Sequence, residues 1–286
     1  MKRIDLHSHT TASDGTLTPR ELIKLAKKQG LEAIAITDHD TVSGIKEAKA
    51  VAEEIGGIEV IPGVEVSADY YGEMHILGYF LDIHDPVLQV RLEELKEIRK
   101  RRNHRMIGRF QKRGIHLTLE ELESETKGEL IGRPHFASLL IKKGLVNTFQ
   151  EAFNKYLAHG SLCYVAKEEV HPKDAIEMIN KSGGVAVLAH PVFLKAKTRL
   201  KLKSLFTELK EMGLTGIEVY HSDHSWKHRE LFLGLANDLD LCVTGGSDYH
   251  GTHKPYINLG VGRGNLSLSY DLLDRLREKQ SLKLSA

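Results

Sequence analysis

Short apolar runs alternate with amphipathic segments along the first part of the 286-residue chain. The segment Thr18-Pro19-Arg20-Glu21 has the pattern of a helix-opening capping box with proline at the first helical position. The helix that it opens is expected to end at Gly30, since glycine commonly closes helices. Apolar runs of strand length predict four buried strands, at 4–9, 33–37, 58–67 and 75–81.

The link between the third and fourth predicted strands, residues 68–73, is short, polar and contains glycine. A link of this kind favours an antiparallel hairpin. Such a hairpin would place His75 beside Glu65.

The middle of the chain, roughly residues 85–170, is charge-dense and mostly helical in pattern. Its long helix, 88–112, is rich in arginine, and shorter helices are predicted at 119–125, 134–142 and 148–156. We interpret this region as an inserted helical subdomain that covers the mouth of a barrel. The predicted organisation is therefore a first part of the barrel at 1–84, the insertion at 85–170, and a second part of the barrel at 171–286.

Alternation of strands and helices returns after residue 170. Strands are predicted at 185–189, 217–220 and 241–245, and helices at 172–181, 226–238 and 270–279. This repetition predicts a mostly parallel α/β fold. Polar residues recur where a strand gives way to a loop, and in a closed β/α barrel those points converge on one face. An open doubly wound sheet is the alternative, but the number of contributing strands favours a barrel.

Composition narrows the function. The formal net charge is +1 and 41% of residues are hydrophobic, which argues against a disordered chain and against gripping duplex nucleic acid by bulk charge. The two cysteines form no CxxC motif, whereas 16 histidines suggest metal sites built from imidazole and carboxylate. We find neither a secretory signal nor an apolar run of about 20 residues that could span a membrane, so we expect a cytoplasmic protein.

The candidate chemistry begins with His7-Ser8-His9 at the end of the first predicted strand. Residues two apart in an extended strand point the same way, so both imidazoles can reach one metal ion. Further strand and loop ends carry the remaining ligand types. The candidate metal ligands are His7, His9, Asp14, His39, Glu65, His75, His190, Asp248 and His250. The alternative, a set of satisfied polar core groups, is disfavoured because so many buried polar groups would be costly without metal ions.

These motifs, HSHTTASDG, ITDHD, GVE, AHP and GSDYHG, resemble the PHP family, named for polymerase and histidinol phosphatase. The resemblance covers essentially the whole chain and implies a distorted seven-stranded β/α barrel with three divalent metal ions. Manganese is the first expectation, with iron or zinc as alternatives. The implied ligands are His7, His9, Glu65 and Asp248 for one ion, Glu65, His75 and His190 for a second, and Asp14, His39 and His250 for the third.

Within the family, Gly132-Arg133-Pro134-His135-Phe136-Ala137 and Arg99-x-x-Arg102-x-x-x-Met106 resemble the small bacterial phosphoesterases. That branch implies hydrolysis of 3′,5′-nucleoside bisphosphates, such as adenosine 3′,5′-bisphosphate, or of short RNA from its 5′ end. The implied nucleophile is a hydroxide that bridges two metal ions. Two alternatives stay open: a histidinol-phosphate phosphatase and a non-catalytic metal-binding scaffold. The sequence does not determine the oligomeric state.

Several further residues are candidates for contact with the substrate. Arg133 is the first choice for a phosphate clamp, because a guanidinium matches phosphate oxygens in a fork. His135 is a second candidate, and both precede a predicted helix whose N-terminus favours anions. Arg99 and Arg102 either contact substrate or belong to a solvated helix face. His221 is a candidate proton donor to the leaving group, with a structural role as the alternative. Asp38 and Asp40 flank His39 and are expected to orient imidazoles.

Overall fold

The structure is a computed structural model that describes residues 2–70, 73–126, 128, 130–166, 168 and 170–285. Its seven strands form one sheet in which the spatial order is the chain order. The strands are β1 (Arg3–Asp5), β2 (Leu31–Ile36), β3 (Glu59–Asp69), β4 (Glu73–Tyr79), β5 (Val185–Leu188), β6 (Gly216–His221) and β7 (Cys242–Gly246). Strand β4 runs antiparallel to both of its neighbours, and the other paired strands are parallel.

The sheet curves until its first and last strands nearly meet. The backbone N–H of Leu6 donates to the carbonyl of Gly245 at 3.2 Å, and an isolated bridge joins Ser8 to Tyr249. The result is a nearly closed seven-stranded barrel, which confirms the predicted fold class. Strand β1 ends earlier than predicted because the backbone of His7 and His9 bonds to the loop after β7 instead of to β2.

The helices pack mainly around the outside of this barrel. The helices are α1 (Pro19–Lys28), α2 (Ile45–Ile55), α3 (Pro86–Gln111), α4 (Leu119–Glu125), α5 (Arg133–Lys142), α6 (Phe149–Ala152), α7 (Pro172–Lys181), α8 (Arg199–Glu211), α9 (Trp226–Asp238) and α10 (Asp271–Leu284). Thr18 and Glu21 form the predicted capping box at the start of α1. The predicted helix at 148–156 is divided into α6 and a π-helical turn, Phe153–Leu157.

Alternate residues along the strands belong to two different hydrophobic clusters, one on each face of the sheet. Ile4, Ala33 and Ala35 belong to the cluster inside the barrel, whereas Ile34 and Ile36 belong to the cluster between barrel and helices. This alternation is what a strand buried on both faces requires. Both faces of the strands are therefore mostly apolar, and the few buried carboxylates that lie within strands are exceptions.

The middle region has a hydrophobic cluster of its own, with members between Met106 and Val165. The first half of α3 nevertheless packs on the outer barrel core through Leu88, Leu92 and Leu95. The insertion is therefore anchored by a helix that belongs to both cores. In the part of the chain that the structure describes, no helix combines the length and apolar character needed to cross a bilayer.

Candidate metal centre

Acidic and histidine side chains converge at the end of the barrel where the parallel strands have their carboxyl ends. Four overlapping groups there have ligand atoms within 4.8 Å of one another, a spacing that could hold a metal ion. Together the groups comprise the same nine residues that the sequence predicts as ligands: His7, His9, Asp14, His39, Glu65, His75, His190, Asp248 and His250. The structure therefore brings the whole predicted set together, from strand ends that are far apart in the chain.

The Glu65 carboxylate lies at the middle of this cluster. Its Oε1 is 2.8 Å from His75 Nδ1 and 2.8 Å from His190 Nε2. Its Oε2 faces three further imidazole nitrogens, 3.4 Å from His7 Nε2, 3.2 Å from His9 Nε2 and 3.1 Å from His39 Nδ1. The β3–β4 register pairs Ser67 with His75, so His75 lies diagonally across from Glu65 on the same face, as the predicted hairpin requires.

Two aspartates complete the cluster on its other side. His250 Nε2 is 3.3 Å from Asp14 Oδ1, and His250 Nδ1 is 3.3 Å from Asp248 Oδ1. Asp248 Oδ1 is also 3.3 Å from His9 Nε2. His9 therefore lies between Glu65 and both aspartates, within reach of more than one position for an ion.

Unpartnered nitrogens show that this donor set fits metal ions. His7 Nε2, both ring nitrogens of His9 and His39 Nδ1 are buried without a hydrogen-bond partner. The nitrogens of His7 and His9 lie 3.2–3.6 Å from oxygens of Glu65 and Asp248. Donors about 2.1 Å from one tetrahedral ion are separated by roughly 3.4 Å, so this spacing matches the edge of a coordination polyhedron. Bound cations would satisfy nitrogens that are otherwise costly to bury.

A fully buried carboxylate outside the predicted set orients two of the histidines. Glu218 Oε1 is 2.9 Å from His7 Nδ1, and Glu218 Oε2 accepts the backbone N–H of His190 at 2.8 Å. With the His7 proton on Nδ1, the Nε2 lone pair faces Glu65 and Asp248, as a metal ligand needs. The sequence analysis missed Glu218, although a single carboxylate inside the apolar segment Gly216–His221 was a usable signal.

The backbone is strained where two ligands leave their strands. His190 has φ of 23° and Asp248 has φ of 58°, both in the left-handed region that residues with side chains seldom adopt. Each such residue costs on the order of 1–3 kcal/mol and persists only where the surroundings enforce it. Here the left-handed backbone occurs just after the strand ends, at the residue whose side chain joins the cluster.

Electrostatics in the cluster favour anionic carboxylates. Burial alone would raise the pKa of Glu65, but the surrounding imidazoles of His39, His75 and His7 hold it well below its usual range. Burial, together with the nearby His9 and Lys254, lowers the pKa of His250 to about 4. Burial would lower the pKa of His9, but Asp248 and Glu65 raise it to about 9. A divalent cation binds the neutral imidazole and would therefore displace that proton.

The acidic residues around His39 differ from the prediction. Asp38 accepts hydrogen bonds from the Thr10 backbone, the Thr10 hydroxyl and the Ser13 hydroxyl, so it holds the loop that carries Asp14. Asp40 forms a buried ion pair with Arg99 and accepts the Ser67 N–H at 3.0 Å. Both residues thus organise the backbone around the ligands, and the carboxylate that orients an imidazole from outside the set is Glu218.

A cavity of about 450 Å³ opens above the cluster, between the barrel and the insertion. A volume of this size is typical of small-molecule sites. Arg99, Arg102 and Arg133 line it from the insertion, facing the candidate ligands Asp14, His39, Glu65, His75, His190, Asp248 and His250. Arg102 is buried, and its Nε donates to the Val165 carbonyl at 2.8 Å, so it does not lie on a solvated helix face.

Two other candidates lie behind the cavity wall. His135 is buried, its Nδ1 accepts the Gly132 N–H at 2.9 Å, and burial lowers its pKa to about 4. His221 is fully buried, and its Nδ1 accepts the Asp223 N–H at 3.1 Å, which leaves the proton on Nε2, 3.3 Å from Asp248 Oδ2. This placement fits a positioning role for His221 on Asp248 better than proton donation to a leaving group.

Two residues that the sequence analysis did not single out also line the cavity. Lys254 Nζ is 2.5 Å from Asp248 Oδ2, and the Lys254 side chain is 41% exposed. His253 Nδ1 is 2.8 Å from the Asp14 carbonyl oxygen. Both belong to the 3₁₀ turn Gly251–His253 and the residue that follows it, immediately after His250.

Comparison with known proteins agrees with this geometry. A model of the PHP domain matches residues 5–181. A 5′-3′ exoribonuclease from Haemophilus influenzae is 35% identical over 250 residues, which is 87% of this chain and 90% of that relative. A 3′,5′-nucleoside bisphosphate phosphatase from Chromobacterium violaceum is 34% identical over 252 residues, 87% of this chain and 88% of that one. A solved structure from Bifidobacterium adolescentis, of a proposed metal-dependent phosphoesterase, has a TM-score of 0.86 and 33% identity over 96% of this chain and 95% of its own.

Proposed function

The chain belongs to the PHP domain family, and we propose that it acts on nucleotides through the metal centre described above. It is a metal-dependent phosphoesterase that hydrolyses phosphate esters of 3′,5′-nucleoside bisphosphates or of short 5′-phosphorylated RNA. The observation that carries this proposal is the convergence of nine buried ligand side chains beneath a cavity lined by arginines.

We propose that the nine residues hold three divalent ions, with Glu65 shared between two of them and manganese as the first expectation. The overlap of the four ligand groups supports more than one ion. Ions bound there supply Lewis-acid stabilisation of phosphoryl oxygens and make water acidic enough to ionise near neutral pH. Glu218 and His221 hold the ligands His7, His190 and Asp248 in place.

Arg133 is the residue that we propose as the phosphate clamp. It lines the cavity from the first turn of α5, so its guanidinium and the helix N-terminus both lie on the side that faces the metal ligands. Its guanidinium carbon is 5.7 Å from the centroid of the Phe153 ring, a contact that restricts the side chain. Arg99 and Arg102 add positive charge to the same wall.

The direct test is hydrolysis by the manganese-loaded protein of three substrates side by side: adenosine 3′,5′-bisphosphate, a short 5′-phosphorylated RNA, and histidinol phosphate. We expect turnover of at least one nucleotide substrate and little of histidinol phosphate. Turnover of histidinol phosphate alone would favour the alternative phosphatase. A folded, metal-loaded protein without activity on any of the three would contradict the phosphoesterase proposal, and elemental analysis well below one metal per chain would contradict the metal centre.

Two variants separate metal binding from phosphate binding. Asp248→Ala should lose bound metal and activity together, because it removes a ligand and takes away the carboxylate that pairs with Lys254. Arg133→Ala should keep its metal and lower kcat/KM by about tenfold to a hundredfold, the size of lost hydrogen bonds to a charged group. Arg113→Ala, an exposed arginine of the same insertion, is the matched control and should behave as wild type. Loss of metal in Arg133→Ala would contradict the assignment of this residue.

A further inference from the structure

The insertion presents a non-ionic surface to the cavity next to the arginines. Phe149, Gln150, Phe153 and Asn154 line the cavity from α6 and the π-helical turn. Phe149 and Phe153 are four residues apart, as are Gln150 and Asn154, so the four side chains lie on one face of this helical segment. Short π-helical segments frequently occur at functional sites. We call the surface formed by these four residues the amide–aromatic face.

Gln150 and Asn154 present side-chain amide groups that can donate and accept hydrogen bonds. Gln150 Nε2 donates to Asn154 Oδ1 at 2.9 Å, and both side chains are exposed. That bond uses one of the two Gln150 N–H donors and one lone pair of Asn154, so the pair retains both donor and acceptor capacity. A side-chain amide matches the adjacent donor and acceptor on the edge of adenine.

The barrel contributes an exposed aromatic ring to the same cavity. Phe193 is 47% exposed and belongs to the 3₁₀ turn Pro191–Phe193, directly after the ligand His190. Its ring centroid is 5.2 Å from that of His190 and 6.1 Å from that of His221, so the ring is held at the rim of the metal centre. An aromatic ring placed in this way is a surface for stacking a planar ligand.

We propose that the amide–aromatic face and Phe193 bind the nucleobase of the substrate, with the base stacked on Phe193 and its edge against Gln150 and Asn154. This inference rests on the proposed function, since it names where the nucleotide lies when its phosphate is at the metal ions. Arg133 lies between the proposed phosphate site and the proposed base site, because it lines the cavity and its guanidinium lies over the Phe153 ring of the amide–aromatic face. A base site of this kind would distinguish a nucleotide from a phosphate ester that lacks a base.

Binding to the metal-loaded protein, measured by isothermal titration calorimetry, tests the proposal without depending on turnover. We expect adenosine 5′-monophosphate to bind at least about tenfold more tightly than ribose 5-phosphate, which lacks the base. Phe193→Ala should weaken adenosine monophosphate about tenfold and change ribose 5-phosphate by less than about twofold. Trp226→Ala, an exposed aromatic outside the cavity-lining set, is the control.

A double variant tests the amide edge separately. Gln150→Ala with Asn154→Ala should reduce the difference in affinity between adenosine and uridine monophosphates while leaving ribose 5-phosphate unchanged. Equal binding of adenosine monophosphate and ribose 5-phosphate by wild type, or equal weakening of both by Phe193→Ala, would overturn the proposal. Base-dependent binding without hydrolysis would support the base site and contradict the phosphoesterase proposal. Hydrolysis without base-dependent binding would support the phosphoesterase proposal and contradict the base site.

Discussion

The two sides of the cavity are built in different ways. On the barrel side, proposed metal ligands such as His7 and Glu65 are almost fully buried and held by neighbours on several strands. On the insertion side, Arg133 and Phe153 are half-buried and Gln150 and Asn154 are exposed, all on short helical segments. Buried side chains fixed by several partners lose little freedom on binding an ion, whereas exposed ones can adapt to different ligands.

The difference in burial between the two sides matches two different requirements, metal binding and substrate discrimination. Metal ions require donors placed to within a fraction of an ångström, which strand ends of a closed sheet can supply. Discrimination between substrates requires contacts that can differ among relatives without disturbing the chemistry. In our proposal these contacts come from the insertion, which is anchored to the barrel by α3 but has its own core.

The largest effect is expected where the two sides are joined, at the buried Arg99–Asp40 ion pair. Arg99→Ala removes a cation that faces the buried Asp40 carboxylate, so we expect the free energy of unfolding to fall by about 3 kcal/mol. Arg101→Ala, two residues along α3 in an exposed pair with Glu168, is the matched control and should change stability by less than about 1 kcal/mol.

Urea unfolding measures both variants. The double variant Arg99→Ala with Asp40→Asn should recover part of the loss, because asparagine tolerates the left-handed backbone at this position (φ 53°) and carries no charge. Equal losses in Arg99→Ala and Arg101→Ala would show that the insertion is held by α3 packing alone.

A smaller effect is expected on the barrel side from Glu218→Gln. The substitution replaces the carboxylate that accepts the His190 N–H by an amide. It also removes the negative charge that fixes the proton on His7 Nδ1. Changes of this kind next to metal ligands typically cost about tenfold to a hundredfold in metal affinity. Competition with a chelator measures that affinity, and Glu177→Gln, in an exposed pair with Lys181, is the control. Unchanged affinity would mean that the strand backbone alone positions His7 and His190.

The smallest effect concerns one buried imidazole on each side. Burial lowers the pKa of His135 in the insertion to about 4 and that of His224 in the barrel to about 3, from an ordinary 6.5. As the pH falls below 6.5, the unfolded chain therefore takes up protons that the folded protein does not, and stability falls. Each group contributes about 1.4 kcal/mol per pH unit.

Two asparagine variants check this contribution. His224→Asn and His135→Asn keep a hydrogen-bonding group near Nδ1 and remove the titration. Each should flatten the slope of unfolding free energy between pH 4.5 and 6, and leave the slope unchanged above pH 7. A flattened slope for His224→Asn alone would indicate that the insertion admits water around His135 in the folded protein.

The sequence predicted the barrel side more completely than the insertion side. Motifs such as His7-Ser8-His9 follow apolar runs, and strand ends meet on one face, so the ligand set followed from pattern and family resemblance. Glu218 was missed, since it gains its meaning from contact with His7, which is distant in the chain. Lys254 was missed although its partner Asp248 is only six residues away. Asp40 was adjacent to a ligand in sequence, yet it pairs with α3.

What the sequence determined by itself was local: the capping box at Thr18, the alternation of apolar runs, and the residue types at strand ends. Periodicity and turn chemistry act over a few residues, so they can be recognised without knowing the fold. Only the tertiary structure decided that Arg102 is buried, that His221 lies behind Asp248, and that the π-helical turn faces the cavity. The physical reason is that burial and hydrogen-bond partnership depend on which distant segments pack together.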